Sequence, residues 1–170
     1  MTKRLGFAIA IIAAVLFIFF LVWQLWPRSS SDLLSGDENA VTGFSASAVI
    51  HDYERDRQYQ YSISYPSPLW DQPGEVLEIL STSQYRQDLR NLLPWKTGSI
   101  DSVQDYDGRR VSVILYLGKE KGNYTEFMFL SSGTVLITTA DCSYPRIYHP
   151  TNALTLDRLS EFLQTHGAME

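Results

Sequence analysis

Residues 5–26, LGFAIAIIAAVLFIFFLVWQLW, carry no charged side chain. At about 1.5 Å of helical rise per residue the stretch spans roughly 33 Å, the thickness of a hydrocarbon core. A helix satisfies its interior amides internally, which lipid requires of any spanning segment. Lys3, Arg4 and the terminal amine flank the near end, and Trp23 and Trp26 mark the far end. The bias of cationic flanks toward the cytoplasm then predicts a single span with residues 1–4 inside and the remainder outside. A cleaved signal would have a shorter apolar core followed by small residues. Here Trp-Gln-Leu-Trp-Pro-Arg follows instead, and the lone cysteine lies too far downstream to be a lipoprotein anchor.

Residues 27–39, PRSSSDLLSGDEN, show no period and read as a flexible linker running to residue 40. The folded domain is expected over 41–167. Phe44, Ala46, Ala48 and Ile50 alternate with Ser45, Ser47, Val49 and His51, which is strand spacing. Tyr59, Tyr61, Ile63 and Tyr65 alternate with Gln58, Gln60, Ser62 and Ser64, and that strand stops at Pro66 and Pro68. Pro73 and Glu75 suit a helical first turn, followed by an apolar stripe of Val76, Ile79 and Leu80. Ser81 with Gln84 matches a capping box, so a second helical turn is expected through Tyr85, Leu89 and Leu92 up to Pro94.

Four strands are expected next. Residues 99–106 lead into Asp107-Gly108, a two-residue hairpin turn, and residues 109–117 are apolar on both faces in the middle, as in a central strand. Residues 124–130 and 134–140 form a hairpin across Ser131-Ser132-Gly133. An irregular Tyr/Pro-rich stretch precedes a final amphipathic helix bearing Leu156, Leu159, Phe162 and Leu163, ending near Gly167. Runs of strands without regular strand–helix alternation predict an α+β fold, an antiparallel sheet packed against helices.

Charge sharpens the functional picture. Two of the 14 basic residues precede the apolar run, leaving twelve against 19 acids from Arg28 onward, a balance of −7. Such a domain is a poor partner for nucleic acid, which is held by clustered Lys and Arg. One cysteine, Cys142, excludes an internal disulfide.

Candidate chemistry is sparse. Cys142 and His149 could pair as nucleophile and base of an envelope hydrolase, but the segment ADCSYPRIYHP lacks a recognisable context and a buried thiol is the simpler reading. Asp52, Glu54 and Asp56 resemble the start of a calcium loop, yet its sixth and twelfth positions are Arg57 and Ile63. Asp105, Asp107 and Gly108 fail the same test at Ile114. His51 and His166 have no partners at metal-ligand spacing. No cofactor is expected. Asn123-Tyr124-Thr125 is a formal glycosylation sequon, relevant only in a eukaryotic secretory pathway.

Ten tyrosines are the unusual feature. Those at 59, 61 and 65 share a strand face and are expected to lie under a helix. Tyr144 and Tyr148, clustered with Pro145 and Pro150 in irregular chain, are the better interface candidates because loops carry function disproportionately.

The segments SISYPS, SIDSVQDYDGRRVSVILYL and TLDRLSEFL resemble small uncharacterised extracytoplasmic domains of membrane-anchored proteins and lipoproteins of Gram-positive bacteria. That resemblance implies a cell-surface location and brings no activity or site. The expectation is therefore a membrane-tethered, non-enzymatic domain that binds or regulates an envelope protein, with the bilayer as partner through residues 5–26. A small-ligand sensor is the alternative.

Overall fold

The computed structural model describes residues 2–34, 40–52, 54–64, 73–92, 109–118, 122–142 and 144–169. The expected strand over 99–106, its Asp107-Gly108 turn, the Asp105 loop, and Tyr65 with Pro66 and Pro68 fall outside those residues.

The apolar N-terminus forms α1 (Thr2–Leu25), and within it Gly6–Leu25 is long and apolar enough to cross a membrane. No residue of that span is buried in protein. The chain then turns into α2 (Ser30–Leu33). Ser29 caps this turn reciprocally with Asp32: the Asp32 amide donates to Ser29 Oγ, and the Ser29 amide donates to Asp32 Oδ2 at 3.0 Å. Arg28 bridges to Tyr85, and Leu33 and Leu34 are buried in the main core. Residues 28–34 are thus docked onto the domain, where a free tether was expected. Ser29 serves as the cap, and the two leucines supply the apolar surface that the polar composition conceals.

Eight strands among the described residues make one antiparallel sheet. They are β1 (Val41–Asp52), β2 (Arg57–Ile63), β3 (Tyr85–Gln87), β4 (Arg110–Leu117), β5 (Tyr124–Leu130), β6 (Val135–Thr139), β7 (Arg146–Pro150) and β8 (Ala168–Met169). Their spatial order is β3-β7-β6-β5-β4-β1-β2-β8. The expected α+β class with an antiparallel sheet and helices is what forms. β4 is central, between β1 and β5.

Side-chain alternation assigns the faces. On one face Phe44, Ala46 and Ala48 of β1 lie opposite Leu115, Val113 and Val111 of β4, which lead on to Phe127 and Phe129 of β5. α3 (Gly74–Ser81) and α4 (Leu154–His166) cover this face together with α2, burying Val76, Leu80, Leu159 and Leu163. Each such side chain contributes about 1.5–3 kcal/mol on leaving water. Tyr59 and Tyr61 lie in register with Ile50 and Ala48, and Tyr61 packs against the core.

The helix expected to continue through Tyr85 does not form. Ser81 and Thr82 turn their hydroxyls back to the carbonyls of Glu78 and Ile79, and α3 ends there. Tyr85 then enters the sheet as a fully buried residue, its hydroxyl donating to the Leu80 carbonyl at 3.0 Å. Burial pushes its phenol well above the usual range.

Candidate functional site

The second face of the sheet carries no α-helix among the described residues. Toward β1, β2 and β4 it is lined by small hydroxyls: Ser45, Ser47, Ser62 and Ser112, beside Ile114, around a shallow groove of about 160 Å³. Ser112 donates to Glu126 at 2.7 Å, and the Ser45 and Tyr116 hydroxyls are hydrogen-bonded to each other at 3.1 Å. Toward β6 and β7 the same face turns apolar, with Leu130, Leu136 and Ile147 clustered beside Met128. Serine side chains project little, so the surface there is close to the backbone itself.

At the β7 end stands a polar knot that the sequence pattern did not reveal. Arg86 of β3 is in register with His149 of β7, and the chain after β3 enters a short helical turn, Leu89–Leu92. Asp88 accepts from the Arg90 guanidinium through both carboxylate oxygens at 3.0 Å, and its Oδ2 lies 2.8 Å from His149 Nε2. Asp88 Oδ1 also accepts from the Arg90 amide at 2.7 Å, as an N-cap does. The Arg90 contact, reinforced by His149 and opposed by burial, holds the Asp88 carboxyl well below the ordinary carboxylate range. Asn91 bonds the Ile147 backbone with both ends of its amide, at 2.7 and 2.9 Å, as a strand neighbour would. The outer edge of β7 is closed by these contacts. The one local signal was Asp88 two residues ahead of Arg90, a capping turn within a stretch whose apolar spacing looks helical.

The residues singled out by sequence do not converge. Ile137 pairs with Arg146 and Val135 with Tyr148, so His149 lies beyond one end of the β6–β7 hairpin. Cys142 follows the other end, where its amide donates to Thr139. Five residue steps separate those levels, about 17 Å along a strand. Proton transfer between thiol and imidazole is excluded at that distance, and the hydrolase alternative falls with it. His51 lies 3.6 Å from Asp56, and His166 stacks on Phe162 with ring centroids 5.0 Å apart. Asp52 accepts from the amides of Glu54 and Arg55, so its carboxylate shapes the hairpin tip. Among the described residues no group of His, Cys, Asp and Glu is arranged to hold a metal ion.

No protein family, curated protein or solved structure matches the chain.

The two interface tyrosines part company. Tyr148 is only 2% exposed and belongs to the core, because strand alternation in β7 turns it toward Tyr85 and the helices' side. The irregular chain expected around it is a strand, so Tyr148 is withdrawn from any partner. Tyr144, in the loop before β7, is 59% exposed. In the sequon, Thr125 is fully buried on the core face of β5.

Proposed function

We propose that the chain is a single-span membrane protein, N-terminus in the cytoplasm, whose extracytoplasmic α+β domain is a non-enzymatic module that binds or regulates an envelope protein. The observation that carries this reading is α1: twenty residues, Gly6–Leu25, long and apolar enough to span a bilayer and unburied by the rest of the chain. A domain with a complete core of its own has no use for that surface in water. Lipid would cover it. The cationic near end sets the orientation.

For the domain, the helix-free sheet face supports binding over catalysis. Beside β1, β2 and β4 it presents the half-buried hydroxyls of Ser45, Ser47, Ser62 and Ser112, whereas its apolar cluster of Leu130, Leu136 and Ile147 is buried and closed to a partner. Its groove of about 160 Å³ falls below the roughly 300 Å³ at which ligand pockets begin, which disfavours a small-ligand site on this sheet face.

The anchor is tested by alkaline carbonate extraction and by protease added outside intact cells. The reading requires carbonate resistance, digestion of residues beyond 40, and a mature N-terminus ahead of residue 5. A mature chain beginning beyond Trp26 would overturn it. The binding role is tested by a photo-crosslinker at Ile114: a reproducible envelope product that disappears with Ser47→Arg supports the sheet face, and none at all counts against it.

A further inference from the structure

We propose that the junction of α1 and α2 is a binding site for one zwitterionic phospholipid with a primary ammonium headgroup, drawn from the outer leaflet. The inference rests on the reading that α1 spans the bilayer. Phe19, Val22, Trp23 and Trp26 recur at the three- and four-residue spacing of one helix face. With Arg28 and Asp32 they line a groove of about 620 Å³, enough for a headgroup with its glycerol and the first part of an acyl chain.

Depth decides the occupant. Twenty residues of helix cover about 30 Å, the full hydrocarbon thickness, so Leu25 lies at its outer boundary. Phe19 and Val22 then sit among acyl chains, Trp23 and Trp26 at the headgroup boundary favoured by indole, and Arg28 and Asp32 in the polar layer. The groove therefore runs from apolar to charged along the same axis and in the same order as a phospholipid. Its two charges match a zwitterion: Arg28 offers a guanidinium to the phosphodiester, and Asp32 offers a carboxylate to the ammonium. Asp32 is held in place by Ser29, whose hydroxyl donates to it at 2.8 Å and whose amide donates at 3.0 Å. Arg28 is held by its backbone bridge to Tyr85. The Asp32 carboxylate and the Arg28 backbone are thus positioned by contacts that do not involve the lipid, so less order is lost on binding.

The test uses the full chain reconstituted in bilayers of equal phosphatidylethanolamine and phosphatidylglycerol, then released and weighed intact by native mass spectrometry. One phosphatidylethanolamine per chain is expected, enriched at least tenfold over phosphatidylglycerol. Val22→Trp, which fills the groove, and Asp32→Asn, which removes the ammonium partner, should each reduce that adduct at least tenfold. Phe17→Ala, on the opposite helix face, should leave it unchanged. Equal retention of both lipids, equal retention by all variants, or equal retention of soluble glycerophosphoethanolamine would overturn the site. Carbonate extraction of the same samples separates the two readings. Release of the wild type by carbonate would overturn the anchor, and a resistant chain without a selective adduct would overturn the groove alone.

Discussion

Arg28 and Tyr85 exchange a pair of backbone hydrogen bonds: the Arg28 amide donates to the Tyr85 carbonyl at 3.0 Å, and the Tyr85 amide donates back at 2.8 Å. Three residues after the end of the apolar helix, the chain is already part of the sheet's edge. Leu33 and Leu34 follow it into the core. Leu33→Ala should therefore destabilise the domain by about 2–4 kcal/mol, the cost of removing a buried leucine. A change of less than about 0.5 kcal/mol in denaturant midpoint analysis would restore the flexible-linker reading.

Asp88 gives the domain an acid-sensitive contact. Its folded-state pKa is depressed, by Arg90 first and His149 second. The resulting stabilisation is complete above the unfolded value of about 3.9 and is lost as pH falls below it toward the folded value. Asp88→Asn should cost about 1–2 kcal/mol at pH 7, the range for a charge-assisted bond with partly exposed partners. The gap between wild type and variant should shrink at pH 3. Parallel stability curves over that interval would argue against the linkage.

Among the described residues Thr125 Oγ1 is buried without a hydrogen-bond partner. Valine has the same shape, suits a strand, and removes the stranded hydroxyl. Thr125→Val should raise stability by about 1 kcal/mol, some 3–5 °C in melting temperature for a domain of this size. Thr155→Val is the contrast, because the Thr155 hydroxyl donates to the Asn152 carbonyl at 3.0 Å, and it should lower stability instead.

Gly167 closes α4 against β2. A Cβ there would stand 2.5 Å from the Leu163 carbonyl oxygen and 3.3 Å from that of Ser62, both backbone atoms. Gly167→Ala should push the helix end away, costing about 1–3 kcal/mol, and release β8 from Tyr61 and Ser62. Hydrogen exchange at the Ser62 and Ala168 amides would report that release directly, and unchanged protection would refute it.

What could be read in the sequence was local. β1, β2 and α4 follow from alternation or helical spacing because one face of each is apolar and the other wetter, and β5 follows from its hairpin with β6 across Ser131-Ser132-Gly133. The central position of β4 follows from its apolar residues on both faces. β3 and β7 escaped notice because neither has a period long enough to recognise. β3 is three residues inside a helix-like stretch, and β7 is five residues ending at Pro150, made a strand between β6 and the far-off β3. The polar knot was hidden for the same reason, since Asp88 and His149 meet only once β3 has paired with β7. Tyr148 was misjudged because a tyrosine between prolines looks like loop, whereas pairing with Val135 and Gln87 fixes which way it faces.

The Arg28 bridge has one more consequence. A head on a slack leash sweeps a hemisphere and meets its partner in any pose. A head whose sheet edge is bridged three residues beyond the rod has fewer poses open to it, with β3 held nearest the rod.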